Sequence, residues 1–182
     1  MKNYFTLYKP FLLFLAKFFL TYLLLTLVYQ YYLSSFAENK TDAITSNVAG
    51  LTEQVLKLSD PNSFTQEEKR QFYFKIFYKK QYIARVIEGC NAISVIILFV
   101  SFVVAFSGKW KPTLFFILGG SLFVYILNIF RIALLVILTY KFPEKEHILH
   151  DVLFPLIIYG TVFILWVFWV NKFSKYASKT AK

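Results

Sequence analysis

This chain is poor in the residues that most often announce chemistry. It has one cysteine, Cys90, and two histidines among 182 residues. A lone cysteine excludes an internal disulfide and so carries no information on redox compartment. One cysteine and two histidines also lack the ligand spacings of a metal site, so no metal and no cofactor is expected. No internal repeat and no low-complexity segment interrupts the chain. Acid is scarce as well: 10 Asp and Glu stand against 20 Lys and Arg, for a formal charge of +10. Such a balance would suit nucleic acid, but the charges are not spread over a soluble surface.

What is abundant is apolar. Hydrophobic residues make up 58% of the chain and aromatics 21%, above the roughly 45–50% apolar content of soluble domains. The excess lies in runs. A membrane-crossing helix needs about 20 mostly apolar residues. Four stretches meet that length, at about 11–33, 86–106, 113–140 and 152–170. The first is too long for the apolar core of a cleaved signal peptide, and no small-residue cleavage site follows it. The expectation is an all-α polytopic membrane protein with four transmembrane helices and both faces of a lipid bilayer as its surroundings.

Charge then orients it. Lys2 and Lys9 precede the first run, Lys109 and Lys111 occupy the turn between the second and third, and Lys172, Lys175, Lys179 and Lys182 follow the fourth; no acid accompanies these lysines. All ten acids fall in the 34–85 loop, at Glu88 or in the 141–151 loop. Lys and Arg collect in short cytoplasmic loops, which places both termini in the cytoplasm and the 34–85 loop outside the membrane of a bacterial cell. The net charge is thus a topology signal, and nucleic acid is excluded as a partner.

The 34–85 segment should form a small extracytoplasmic cap. Ile44, Val48, Leu51, Val55 and Leu58 recur at helical spacing, with Asp42 as the N-cap and Ser59-Asp60-Pro61-Asn62 as the stop. Thr65-Gln66-Glu67-Glu68 has the form of a capping box, which predicts a further helical turn. The aromatic and β-branched stretch 72–85 predicts a hairpin turning near Lys79-Lys80, and a continuous helix from Thr65 is its competitor.

With this topology, three reactive side chains fall on the outer side. Cys90 lies one turn into the second run, and His150 stands at the entrance of the fourth. Arg131 lies within the third, nine residues before its end, or roughly 13 Å deep at 1.5 Å per residue. A cysteine alone is more often inert packing, and His147 dilutes the meaning of His150. Arg131 is harder to dismiss. An arginine within a span costs at least roughly 2.5–3.5 kcal/mol and usually faces a polar interior. Asn128, three residues earlier, shares its helical face. The chemistry assigns Cys90 as thiolate nucleophile, His150 as proton carrier and Arg131 as oxyanion and thiolate stabiliser. Glu88, Asn91, Asn128 and Asp151 are supporting candidates. His150 and His147 remain alternatives on chemistry alone.

The stretches Val86-Ile87-Glu88-Gly89-Cys90-Asn91-Ala92-Ile93-Ser94-Val95, Asn128-Ile129-Phe130-Arg131-Ile132-Ala133, and His150-Asp151 with Phe154-Pro155 and Tyr159-Gly160 resemble the three motifs of the exosortase/archaeosortase family of membrane cysteine transpeptidases. The short form and Glu88-Gly89-Cys90-Asn91 look most like the F-type exosortases of Bacteroidota. The resemblance implies a catalytic Cys90, Arg131 and His150. It also implies a cysteine protease or transpeptidase that cleaves a C-terminal sorting signal, or another membrane-anchored protein, at the outer face of the cytoplasmic membrane and transfers it to an acceptor. The larger exosortases have more spans and a further domain, so the natural partner of this shorter form could be a dedicated membrane protein. Two other readings compete: a non-catalytic assembly or sorting subunit that binds a partner's transmembrane tail, and a small transporter. The transporter lacks the expected internal repeat and broken helices.

Overall fold

A computed structural model describes residues 2–36, 41–68, 71–106 and 108–173. The tail lysines Lys175, Lys179 and Lys182, and Glu38, Lys40, Lys69 and Arg70 of the long loop, lie outside the described residues. The elements run α1 (Lys2–Ser34), α2 (Ala43–Lys57), β1 (Phe64–Glu68), β2 (Tyr73–Tyr78), β3 (Gln81–Val86), a 3-10 turn (Glu88–Cys90), α3 (Ile93–Ala105) and α4 (Trp110–Lys141). Short turns at Pro143–Lys145, α5 (Glu146–Ile148) and a π-helical turn at Leu149–Leu153 lead directly into α6 (Phe154–Lys172).

The cap forms as its local chemistry dictates, with two departures. Asp42 adopts an extended N-cap conformation, and its carboxylate accepts from the backbone N–H of Ile44 at 3.0 Å and Thr45 at 2.9 Å. The helix ends at Lys57, ahead of Asp60-Pro61. Its buried face is Thr45, Val48, Ala49, Thr52 and Leu56, rotated from the stripe of large apolar residues. Leu58 is 89% exposed. Packing against a nearby helix favours small side chains, which a count of large hydrophobics overlooks.

The second departure is at Thr65. No helical turn starts there, because Phe64–Glu68 pairs with β2, Phe64 opposite Phe77 and Glu68 opposite Tyr73. The Thr65 backbone N–H and hydroxyl donate to Glu53 of α2, at 2.7 and 2.8 Å. The Thr-x-x-Glu signature is therefore satisfied by a carboxylate from another element. Burial pushes the Glu53 carboxyl up, but the Lys57 and Thr65 hydrogen bonds outweigh it and hold the group below its ordinary value.

The hairpin turns at Lys79 and Lys80, with φ of 51° and 64°. Two left-handed residues define the type I′ turn that suits strand twist, although neither is glycine or asparagine. The Lys79 ammonium lies over the Tyr78 and Tyr140 rings, 5.9 and 5.3 Å from their centroids, and this contact offsets part of the strain.

Below the cap, three helical segments among the described residues are long and apolar enough to cross a membrane: Tyr8–Ser34, Trp110–Lys141 and Pro143–Lys172. The fourth expected span differs. The run 86–106 divides into the end of β3, the 3-10 turn and α3, which has 13 residues and a length of about 20 Å, short of the roughly 30 Å hydrocarbon core. Its start is fixed by Asn91, whose Oδ1 accepts from the Ile93 N–H at 3.0 Å, and by Ala92 at φ 67°.

Two apolar clusters hold the bundle. One joins α3, α4 and α6 through Phe99, Val103, Val124, Val162 and Trp169. Gly120 lets α3 and α4 meet closely: a Cβ there would lie 2.3 Å from the Phe99 ring, and that ring is fully buried. Gly120→Val should therefore force the helices apart and destabilise the protein by about 1–3 kcal/mol. A lowered midpoint in thermal unfolding of the detergent-solubilised protein would register it, and an unchanged midpoint would refute the close contact. The other cluster joins Val48 and Leu56 of α2, Ile76 and Tyr78 of β2 and Val86 of β3 to Ile132, Ala133 and Val136 of α4. The last turns of α4 are thus sheathed by the cap. The nine residues beyond Arg131 therefore do not measure its depth in the bundle, and Arg131 lies just under the cap.

Candidate active site

Cys90 closes the 3-10 turn between β3 and α3 and carries a free, partly exposed thiol. Its backbone is held on two sides. The Cys90 N–H donates to the Ile87 carbonyl at 2.9 Å, and Asn128 Nδ2 of α4 donates to the Cys90 carbonyl at 2.7 Å. Asn128 is buried, so it fixes the position of the cysteine through the backbone carbonyl.

One helical turn further, Arg131 presents its guanidinium on the same face. It is half-buried, and its Nε has no hydrogen-bond acceptor among the described residues. The ionisable groups it faces are Cys90 and Tyr159. A half-buried cation that meets a thiol and a phenol, with no ion pair to a carboxylate among the described residues, is available to an incoming anion.

His150 stands on the π-helical turn that precedes α6. Its Nδ1 lies 2.6 Å from Asp151 Oδ1, and Nε2 of His147 lies 3.2 Å from Asp151 Oδ2. Asp151 does orient an imidazole, although it is the next residue in sequence. A carboxylate can only accept when ionised, so Nδ1 of His150 carries the hydrogen and Nε2 is left as the basic nitrogen.

A cavity of about 320 Å³ joins these groups: Cys90, Arg131 and His150 all line it. The supporting candidates divide. Asn128 and Asp151 act on a lining residue from behind. Glu88 faces a different cavity of about 310 Å³, which it shares with Gln30 and Asp42. Asn91 is buried and serves the scaffold. Its Nδ2 donates to the Tyr29 hydroxyl at 2.7 Å and the Thr45 hydroxyl at 3.2 Å, tying α1 and α2 to the start of α3. His147 does not line the cavity.

The cavity also includes Tyr82 and Arg85 of β3, Thr139 of α4 and Glu146 of α5, which the sequence reading missed. For Glu146 a signal existed, since it precedes His150 by four residues and so shares its helical face. For Tyr82 and Arg85 nothing in the sequence distinguishes them from other hairpin residues.

Residues 5–172 match the family described as transmembrane exosortase. No curated protein matches the chain. No solved structure matches it either.

Proposed function

This chain belongs to the transmembrane exosortase family, multi-pass membrane proteins that are in general sorting transpeptidases, and we propose that it is a cysteine protease/transpeptidase acting through Cys90, Arg131 and His150. The observation that carries this reading is the single cavity that all three side chains line.

His150 Nε2 takes the Cys90 proton, and the thiolate attacks a substrate peptide carbonyl. The oxyanion forms against the Arg131 guanidinium, which lines the same cavity. The C–N bond then breaks, His150 returns the proton to the leaving amine, and a thioester remains on Cys90. An acceptor nucleophile, deprotonated by His150, attacks the thioester carbonyl; the C–S bond breaks, the acyl group passes to the acceptor, and His150 returns the proton to the thiolate. Asp151 keeps the His150 tautomer, and Asn128 keeps the cysteine in place.

We place the protein in a bacterial cytoplasmic membrane with four crossings, both termini cytoplasmic and the cap outside. The shortened α3 makes the remaining crossing together with the turns at its ends, because it leads from the cap to the lysine-bearing turn before α4. The shortening leaves Cys90 recessed beneath the cap, level with the outer part of the bilayer. A scissile bond just outside a substrate's own transmembrane helix would arrive at that level. The substrate is accordingly a membrane-anchored protein with a C-terminal signal, and the Glu88-Gly89-Cys90-Asn91 turn favours the F-type group.

In a deletion strain, envelope proteins should keep full-length C-termini, read by mass spectrometry. Wild type and His147→Ala should restore the shortened ends. His150→Ala should slow processing by about 10²-fold, the lower end of general-base effects. Unchanged C-termini in the deletion strain would end the processing reading, and equal loss in the two histidine variants would end the assignment of the base.

A further inference from the structure

The sheet has the order β1-β2-β3, so one long side of β3 has no strand partner among the described residues. The hairpin determines which backbone groups face that side. Its two-residue type I′ turn makes Tyr78 and Gln81 the first hydrogen-bonded pair, and such pairs alternate along an antiparallel ladder. The register shift at Ile76/Phe77 adds one residue. The N–H and C=O groups of Tyr82 and Arg85 therefore turn away from β2.

The cavity that contains Cys90 touches Tyr82, Ile83, Ala84, Arg85 and Val86 in succession. Successive strand residues face opposite sides of a sheet. The bulge lets Ile83 and Ala84 share a face, but Tyr82 and Arg85 lie on the other, so a cavity that meets all five follows the open edge. From Val86 the chain passes through Ile87 straight into the turn that bears Cys90. The edge and the thiol are continuous.

We propose that this edge is the substrate rail: an extended segment of the substrate polypeptide, adjoining the scissile bond, pairs with β3 as a fourth strand and is thereby led to Cys90. The proposal rests on the reading of Cys90 as nucleophile and specifies what that nucleophile receives. An extended peptide is the fitting occupant because its own N–H and C=O groups are free, while a helix has already used its own. Recognition of this kind draws affinity from main-chain bonds and leaves side-chain identity to the pockets between them. It also accounts for a strand edge that carries no proline and borders an open cavity, an edge that would otherwise invite aggregation. Substrates should then share an unstructured stretch beside their transmembrane helix more than a strict sequence.

The test replaces the backbone donor. Arg85→Pro removes an outward N–H that the β2–β3 ladder does not use, a position where an edge strand tolerates proline. Arg85→Ala removes the side chain and keeps the N–H. Both variants go into the deletion strain, and the C-termini of its own envelope precursors are followed by mass spectrometry. Processing by Arg85→Pro should fall at least about tenfold below that by Arg85→Ala, the scale of one lost buried hydrogen bond. Equal processing by the two overturns the rail, and it leaves the nucleophile reading standing as long as Cys90→Ala remains inactive. Processing by Cys90→Ala overturns that reading instead. A second measurement decides should Arg85→Pro fail to accumulate in the membrane. The photocrosslinker p-benzoylphenylalanine replaces Tyr82 in the Cys90→Ala background. Crosslinks that map to the precursor segment beside the cut site support the rail, and crosslinks confined to other segments, or none, overturn it.

Discussion

Cys90→Ala should abolish C-terminal processing, by about 10⁴-fold or more, as removal of a covalent nucleophile does in other acyl-transfer enzymes. The expectation follows from what alanine deletes and what it keeps. The Cys90 backbone, which Ile87 and Asn128 hold, is untouched, so the turn and the cavity persist. The side chain is only partly buried at the margin of the cap cluster, so the fold should lose little. Arg131 and His150 remain, yet neither can form a thioester. Cys90→Ser should also be close to inactive, because a serine hydroxyl is far less acidic than a thiol and Arg131 cannot make up the difference. As the chain has one cysteine, alkylation by iodoacetamide reports on this residue alone. Extent of alkylation and loss of processing should therefore rise together in the wild-type protein. Full processing by Cys90→Ala would make the chain a binding or assembly component rather than an enzyme.

Much of this arrangement is legible in the sequence, and the parts that are not have definite reasons. Asp42 is readable because N-capping is a local bond between a side chain and the next N–H groups. The hairpin is readable through its aromatic and β-branched run, even with lysines in place of glycine at the turn. The grouping of a thiol, a guanidinium and an imidazole is legible because each stands at the edge of an apolar run or interrupts one, and one cavity joins them. The start of α3 is not readable. Val86 and Ile87 are as apolar as Ile93 and Val95, and hydropathy does not record that the first pair closes a strand while the second opens a helix. The boundary depends on Asn91, which acts through contacts with Tyr29 and Thr45, 62 and 46 residues away. The strand at Thr65 is hidden for the same reason, because its polar partner is Glu53 in α2. Glu88 adjoins the motif in sequence but faces the other cavity, since the 3-10 turn sends successive side chains in different directions.

Arg131→Lys should lower processing by about 10²-fold and Arg131→Ala by about 10³-fold, the range measured when oxyanion donors are removed. Retention of charge is not enough at this position. Arg131 lines the cavity that also holds Cys90, and its buried Nε has no acceptor among the described residues. A lysine ammonium is a compact, strongly hydrated point charge on a flexible stem. It would have to shed water beneath the cap, and it could not offer two donors in one plane to a tetrahedral oxyanion. The measurement is the rate at which precursor C-termini are shortened, followed by mass spectrometry in the deletion strain carrying each variant at equal expression. Near-normal processing by Arg131→Lys would take away the role of the planar fork at the oxyanion.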